Sequence, residues 1–200
     1  MRSPWERALG DRIDELDPAL RTYFGGIPIG SIGRGVGSFD VVGTPRRWLW
    51  PLFSLLARDG VLFPGWERNV PFTVTNRPTV SGTVRATRVF GFASGARVME
   101  DETGITAAGL VDRLGRRGMI SASLAAEVVD GGLVLRSVAT GLRLGPLRIG
   151  FGALAPRVIL TERTVGDRQH VSLRLVAPVI GTIYEYRGSF SYSLEEDSHA

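Results

Sequence analysis

Residues 119–144 read MISASLAAEVVDGGLVLRSVATGLRL, and the alternation in them is that of a β-hairpin. Ile120, Ala122, Leu124, Ala126 and Val128 fall on one side; Met119, Ser121, Ser123, Ala125 and Glu127 fall on the other. A period of two belongs to a strand, whose successive side chains point to opposite faces. Asp130-Gly131-Gly132 then supplies residues that tolerate the left-handed backbone of a tight turn, before a second apolar run over 133–144. The small side chains of the first run leave room beside it, for a helix or for a ligand.

The same period extends in both directions. Residues 70–76, 82–92, 96–102 and 105–112 read as strands, broken at Pro78, Ser94-Gly95 and Thr103-Gly104. Residues 158–165 and 169–176 flank Gly166-Asp167 as a second hairpin, and 182–194 forms a last strand. About nine to ten strands joined by turns predict an antiparallel meander. The regular strand–helix–strand alternation of a parallel nucleotide-binding sheet does not occur.

Upstream the period changes. Ser3-Pro4-Trp5-Glu6 is a capping box with proline in the first turn, followed by Trp5, Leu9, Ile13 and Leu16 as one apolar stripe. Pro18 begins a second short helix that runs to about Phe24 and ends at Gly25-Gly26. Gly30, Gly33, Gly35 and Gly37 superficially suggest a phosphate loop. Strand-like residues follow them where a dinucleotide site needs a helix, so a glycine-rich strand edge or loop is expected. Thr44-Pro45 opens a third helix, kinked or restarted at Pro51, whose residues 48–57 are apolar nearly all round. The expected fold is α+β: a strongly curved antiparallel β-sheet or open β-barrel of about nine to ten strands, with short N-terminal helices packed on it. One domain is expected, with a helical and glycine-rich part over 1–66, the meander over 67–194 and a frayed tail over 195–200.

Composition narrows the chemistry. Of 200 residues none is cysteine, which excludes disulfides, thiolate metal sites and cysteine nucleophiles. All 24 basic residues are arginine, so a Schiff-base lysine is excluded too. The net charge of +4 comes from arginines interleaved with 20 acids, and aromatic residues meet basic ones only around Trp48 and Trp50, so no nucleic-acid partner is expected. Only His170 and His199 are imidazoles; one starts a strand beside a turn and the other is penultimate. Glu100-Asp101-Glu102 alternate faces and cannot converge on a metal. No catalytic residue, metal or cofactor is expected. Arg2, Glu6, Arg7, Asp11 and Arg12 leave no apolar leader segment, and no run approaches the ~18–20 apolar residues of a membrane span. The expected location is the cytoplasm, with peripheral attachment to a membrane as an extension of that reading.

Ligand-binding candidates come from two places. On the last strand Tyr184, Tyr186, Phe190 and Tyr192 share a face with Gly188, while Ile183, Glu185 and Arg187 face the other way. A tyrosine stripe is either core with hydroxyls at the rim or the wall of an amphipathic pocket. Glu185 and Arg187 suit a surface ion pair. The Trp48/Trp50 segment is either buried against the sheet, or gates a cavity, or docks on a membrane or a partner.

The order and spacing of several short stretches resemble a bacterial family catalogued as domain of unknown function 4166. They include Gly35-Val36-Gly37-Ser38-Phe39, Val70-Pro71-Phe72-Thr73-Val74, Arg88-Val89-Phe90, Leu154-Ala155-Pro156-Arg157-Val158 with Glu162, and Tyr186-Arg187-Gly188. The resemblance implies company more than mechanism: such domains are often attached to nucleotide-binding domains similar to saccharopine dehydrogenase, or occur near small membrane proteins. An oxidoreductase or membrane-protein partner follows as an expectation, and Glu162, Tyr186 and Arg187 are the polar residues at matching positions. The function expected first is a non-catalytic binding module for a small hydrophobic or lipid-like ligand, using Trp48, Trp50, Glu162, Tyr184, Tyr186 and Arg187. A docking module, and an enzyme working through Glu162 and Arg187 in one cleft, are the alternatives.

Overall fold

The period-two segments form strands that pair antiparallel throughout a computed structural model describing residues 2–144, 147–150, 152 and 155–197. The strands are β1 (Ser31–Gly43), β2 (Trp66–Glu67), β3 (Val70–Pro78), β4 (Val84–Phe92), β5 (Gly95–Thr106) and β6 (Gly109–Leu114). They continue with β7 (Ile120–Val129), β8 (Gly132–Leu144), β9 (Leu147–Gly150), β10 (Arg157–Val165), β11 (Arg168–Ala177) and β12 (Gly181–Glu196). The order β10-β11-β12-β1-β3-β4-β5-β6-β7-β8 closes on itself, because Leu133 to Arg136 of β8 pair with Glu162 to Ile159 of β10. The expected curved sheet is thus a closed ten-stranded barrel. β2 lies off this ring on β1, and β9 continues from the far half of β8.

Local chemistry sets the joints. Asp130 (φ 48°) and Gly131 (φ 75°) both take left-handed backbone in the β7–β8 turn, the geometry that matches strand twist. Downstream, Val138 bulges out of β8, so that Ser123 pairs with Ala139 and Leu124 with Ser137. That extra residue moves the inward positions from Leu133 and Leu135 to Thr140 and Leu142.

At the N-terminus the capping box forms as expected, with Ser3 Oγ accepting from the Glu6 amide at 3.0 Å. The first stripe is not one α-helix, however. α1 (Pro4–Leu9) stops at Gly10 (φ 58°) and gives way to a 3₁₀ turn over Gly10–Glu15. α2 (Pro18–Phe24) follows, and a 3₁₀ turn at Arg47–Leu49 precedes α3 (Trp50–Ala57). Pro51 lies in the first turn of α3, where no amide partner is missing, and so starts the helix rather than kinking it.

Three further expectations are corrected. The glycine-rich segment is neither an edge nor a loop: it is β1, held between β12 and β3. Gly35 belongs there because an added Cβ would lie 2.6 Å from Val74 and 2.9 Å from the Phe190 ring. Thr103-Gly104 is not a turn, since β5 runs to Thr106; Gly104 gives Thr83 the space a Cβ would take. The final strand reaches Glu196 and the Asp197 amide bonds Gly30 O at 2.8 Å, so 195–197 are tied to the barrel. Leu154 and residues 198–200, with His199, lie outside the described residues.

The barrel interior is divided. Phe39, Phe72, Phe90 and Phe190, carried by β1, β3, β4 and β12, pack edge-on or tilted with centroids 4.5–5.5 Å apart and fill their side of the barrel. Opposite them, β5–β8, β10 and β11 present leucine, valine, alanine and a few polar groups. Ten strands enclose more space than such side chains fill.

Candidate functional site

The unfilled half is a cavity of about 390 Å³. This lies within the usual range of small-molecule sites. Its walls come from β4–β8 and β10–β12, and its ends from Trp5, from Tyr23 and Phe24 of α2, and from Leu52, Phe53 and Leu56 of α3. Most of the lining is aliphatic. Leu52 also remains 49% exposed, so the cavity reaches the surface beside α3.

Into this apolar space the strand register sends a group of charges. Val84, Ala86, Arg88, Phe90 and Phe92 alternate along β4, so Arg88 shares the inward face with four apolar residues. Asp101 is inward between Met99 and Thr103 on β5, and Asp112 between Leu110 and Leu114 on β6. Arg88 forms an ion pair with Asp101. Thr103 Oγ1 donates to Asp112 Oδ1 at 3.1 Å. Glu162, inward on β10, accepts a hydrogen bond from Gln169 Nε2 of β11. Tyr23 and Tyr186 complete the polar cluster.

Burial governs the proton affinities here. Glu162 is pushed up to about 7, chiefly by loss of water around its carboxylate, against the opposing effects of Gln169 and Arg88. Burial raises Asp112 as well, with Arg88 opposing. For Arg88 burial works against the charge, but Tyr23, Tyr186 and Asp112 outweigh it and hold the guanidinium above its ordinary value. Tyr23 is raised to about 12 by burial, and Tyr186 is raised for the same reason. One guanidinium facing three carboxyl groups and two phenols can orient the polar end of a molecule whose remainder is apolar.

The sequence-derived candidates divide between this cavity and other surfaces. Glu162 and Tyr186 are brought together on its wall. Tyr184 is fully buried behind it, its ring 5.8 Å from those of Phe53 and Phe63 and its hydroxyl without a hydrogen-bond partner. Arg187 points outward, opposite to Glu162, and its nearest carboxylate is Asp40 at 4.0 Å rather than Glu185. The single cleft that an enzyme built on Glu162 and Arg187 requires is therefore not formed. Trp48 and Trp50 are on the exposed side of the α3 segment; Leu52, Phe53 and Leu56 face the cavity instead. Ile183, expected outward, is buried and lines the cavity, because a bulge in β12 pairs Val176 with Thr182 and Leu175 with Tyr184.

Arg88, Asp101, Asp112 and Tyr23 are not among the binding candidates derived from the sequence, although Asp101 is weighed there as a metal ligand and Arg88 lies in a family-matching stretch. Each of the first three occupies an apolar-phase position in its strand, and that mismatch was the available signal. Among the described residues no three His, Asp or Glu side chains converge as a metal-binding group, and no helix is long and apolar enough to cross a membrane.

A family model described as "Domain of unknown function (DUF4166)" matches residues 16–190. No curated protein and no solved structure matches the chain.

Proposed function

The chain belongs to the DUF4166 family, whose description assigns no activity, and we propose that it is a non-catalytic binding module for a small hydrophobic or lipid-like molecule. One observation carries this reading: the closed barrel keeps an aliphatic cavity of about 390 Å³ with a buried arginine–carboxylate cluster in its wall. A cavity lined only by leucine and valine would suit any apolar solute. Charged groups placed in such a wall are costly to bury, and a molecule with one polar end gives them further hydrogen bonds. The ligand's body would lie against Leu124, Leu135, Leu160 and Leu173, with its polar end toward Arg88, Asp112 and Glu162.

Ala122 lines the cavity and offers a direct test. Ala122→Phe fills the space from within. The neutral fluorophore N-phenyl-1-naphthylamine is expected to bind the unaltered protein saturably at one site. Ala122→Phe, with an unchanged circular dichroism spectrum, is expected to lower that affinity at least tenfold. Equal binding by both proteins, or none by the unaltered one, would refute the reading. Native mass spectrometry with organic extraction would then identify the bound class.

A further inference from the structure

The exposed side of the α3 segment is strongly apolar, and apart from Leu52 at the cavity mouth its residues do not line the cavity. Trp48 is 63% and Leu55 59% exposed, and Trp50 and Leu52 are uncovered over more than a third of their surface. Leu49, Phe53 and Leu56 take the opposite, buried side, so packing holds α3 on the barrel while Trp48, Trp50 and Leu55 face out and Leu52 sits between the two sides at the cavity mouth. A second apolar tip lies next to it. In the β11–β12 turn Val179 is fully exposed with left-handed backbone (φ 67°), and Ile180 beside it is 39% exposed. Arg46, just ahead of the 3₁₀ turn that leads into α3, donates from its guanidinium to Ile180 O at 2.9 Å and so ties the β11–β12 turn to the start of this segment.

Within the two segments that carry this surface the charge has one sign, and Asp40, Asp59 and Glu185 lie immediately outside them. Residues 41–58 contain Arg46, Arg47 and Arg58 and no acid, and residues 175–184 contain no charge. Among the described residues no carboxylate forms an ion pair with Arg46, Arg47 or Arg58. Tryptophan and leucine flanked by arginine are the composition that settles at the boundary between acyl chains and headgroups; the arginines snorkel toward phosphate. The cavity reaches the surface at Leu52, on this same helix.

We propose that the α3 face and the β11–β12 turn together dock the barrel on an anionic bilayer, with the cavity entrance at the membrane. This extends the cavity reading, since the entrance would then open where apolar molecules are dissolved, but the docking is carried by Trp48, Trp50, Leu55, Val179 and the arginines Arg46, Arg47 and Arg58, which do not line the cavity, and it fails or stands separately.

The test is flotation with vesicles of phosphatidylcholine alone, or with 30% phosphatidylglycerol. The protein is expected to float with the anionic vesicles, to be released as salt is raised, and to bind neutral vesicles at least tenfold more weakly. Trp48→Ala with Leu55→Ser should reduce partitioning at least tenfold, with melting temperature and N-phenyl-1-naphthylamine binding unchanged. Arg47→Glu should weaken binding to the anionic vesicles only. Ala122→Phe should still float. Undiminished flotation of the Trp48/Leu55 variant would overturn the proposal. So would the absence of flotation, including the case where light scattering shows a dimer that the double variant dissociates, since a second copy would then cover the patch.

Discussion

Glu162 offers a pH-dependent measure of how dry the polar end of the cavity is. Its carboxyl is raised from an ordinary 4.5 to about 7, mainly by burial, so between those values the folded protein holds a proton that the unfolded chain has released. Folding stability must then fall as pH rises through this window. It is unaffected by Glu162 below about pH 4.5 and fully reduced above about pH 7, by about 3 kcal/mol in total. Glu162→Gln keeps the shape and removes the titration. The carboxamide can still accept from Gln169 Nε2, and its NH₂ can reach for Gln169 Oε1, a buried atom with no partner in the native chain. Urea unfolding of both proteins from pH 4.5 to 8 gives the answer. The variant should gain on the parent as pH rises, and the gap should widen by about 3 kcal/mol. Every other titrating group is shared, so it cancels in the difference. Parallel stability profiles would refute the argument, showing that water or a relaxed wall reaches Glu162 and leaves its proton affinity ordinary.

Two further substitutions test the division of the barrel into a filled and an open half. Gly35→Ala puts a Cβ 2.6 Å from Val74 and 2.9 Å from Phe190 within the packed aromatic half, which should cost about 2 kcal/mol and lower the melting temperature by roughly 4–8 °C; an unchanged melting curve would show that this half is loosely packed. Arg88→Met should cost about 3–5 kcal/mol because it leaves Asp101 and Asp112 buried without their cation, and Asp101→Asn in the same chain should recover part of the loss. A double-mutant cycle from chemical unfolding would expose strictly additive effects, which would mean that the ion pair contributes nothing.

How far the site could be read in advance follows from what each feature depends on. The β7–β8 hairpin, α2 and the capping box are local: Asp130-Gly131, Pro18 and Ser3/Glu6 act on their immediate neighbours, and their residues suffice to place them. The inward stripe of Tyr184, Tyr186, Phe190 and Tyr192 is nearly as local, because period two fixes faces. A single bulge was enough to turn Ile183 inward against that pattern, since whether a strand bulges is settled by its partner. Glu162 and Tyr186 were picked out as candidates, whereas their meeting across β11 depends on the register in which Glu162 pairs with Val171 and Leu173 with Tyr186.

By itself, then, the chain's sequence determined the strand-and-turn grammar, the antiparallel class, the short N-terminal helices and the lack of thiol and lysine chemistry, because each follows from residue type and short-range spacing. Only the tertiary structure decided that the sheet closes between β8 and β10, that aromatic rings fill one side and leave the other open, and that Arg88, Asp101, Asp112 and Glu162 face one another inside. Those are contacts between residues far apart in the chain, set by strand order, register and shear. Alternation names a face, but which faces enclose a common space is known only once the barrel is closed.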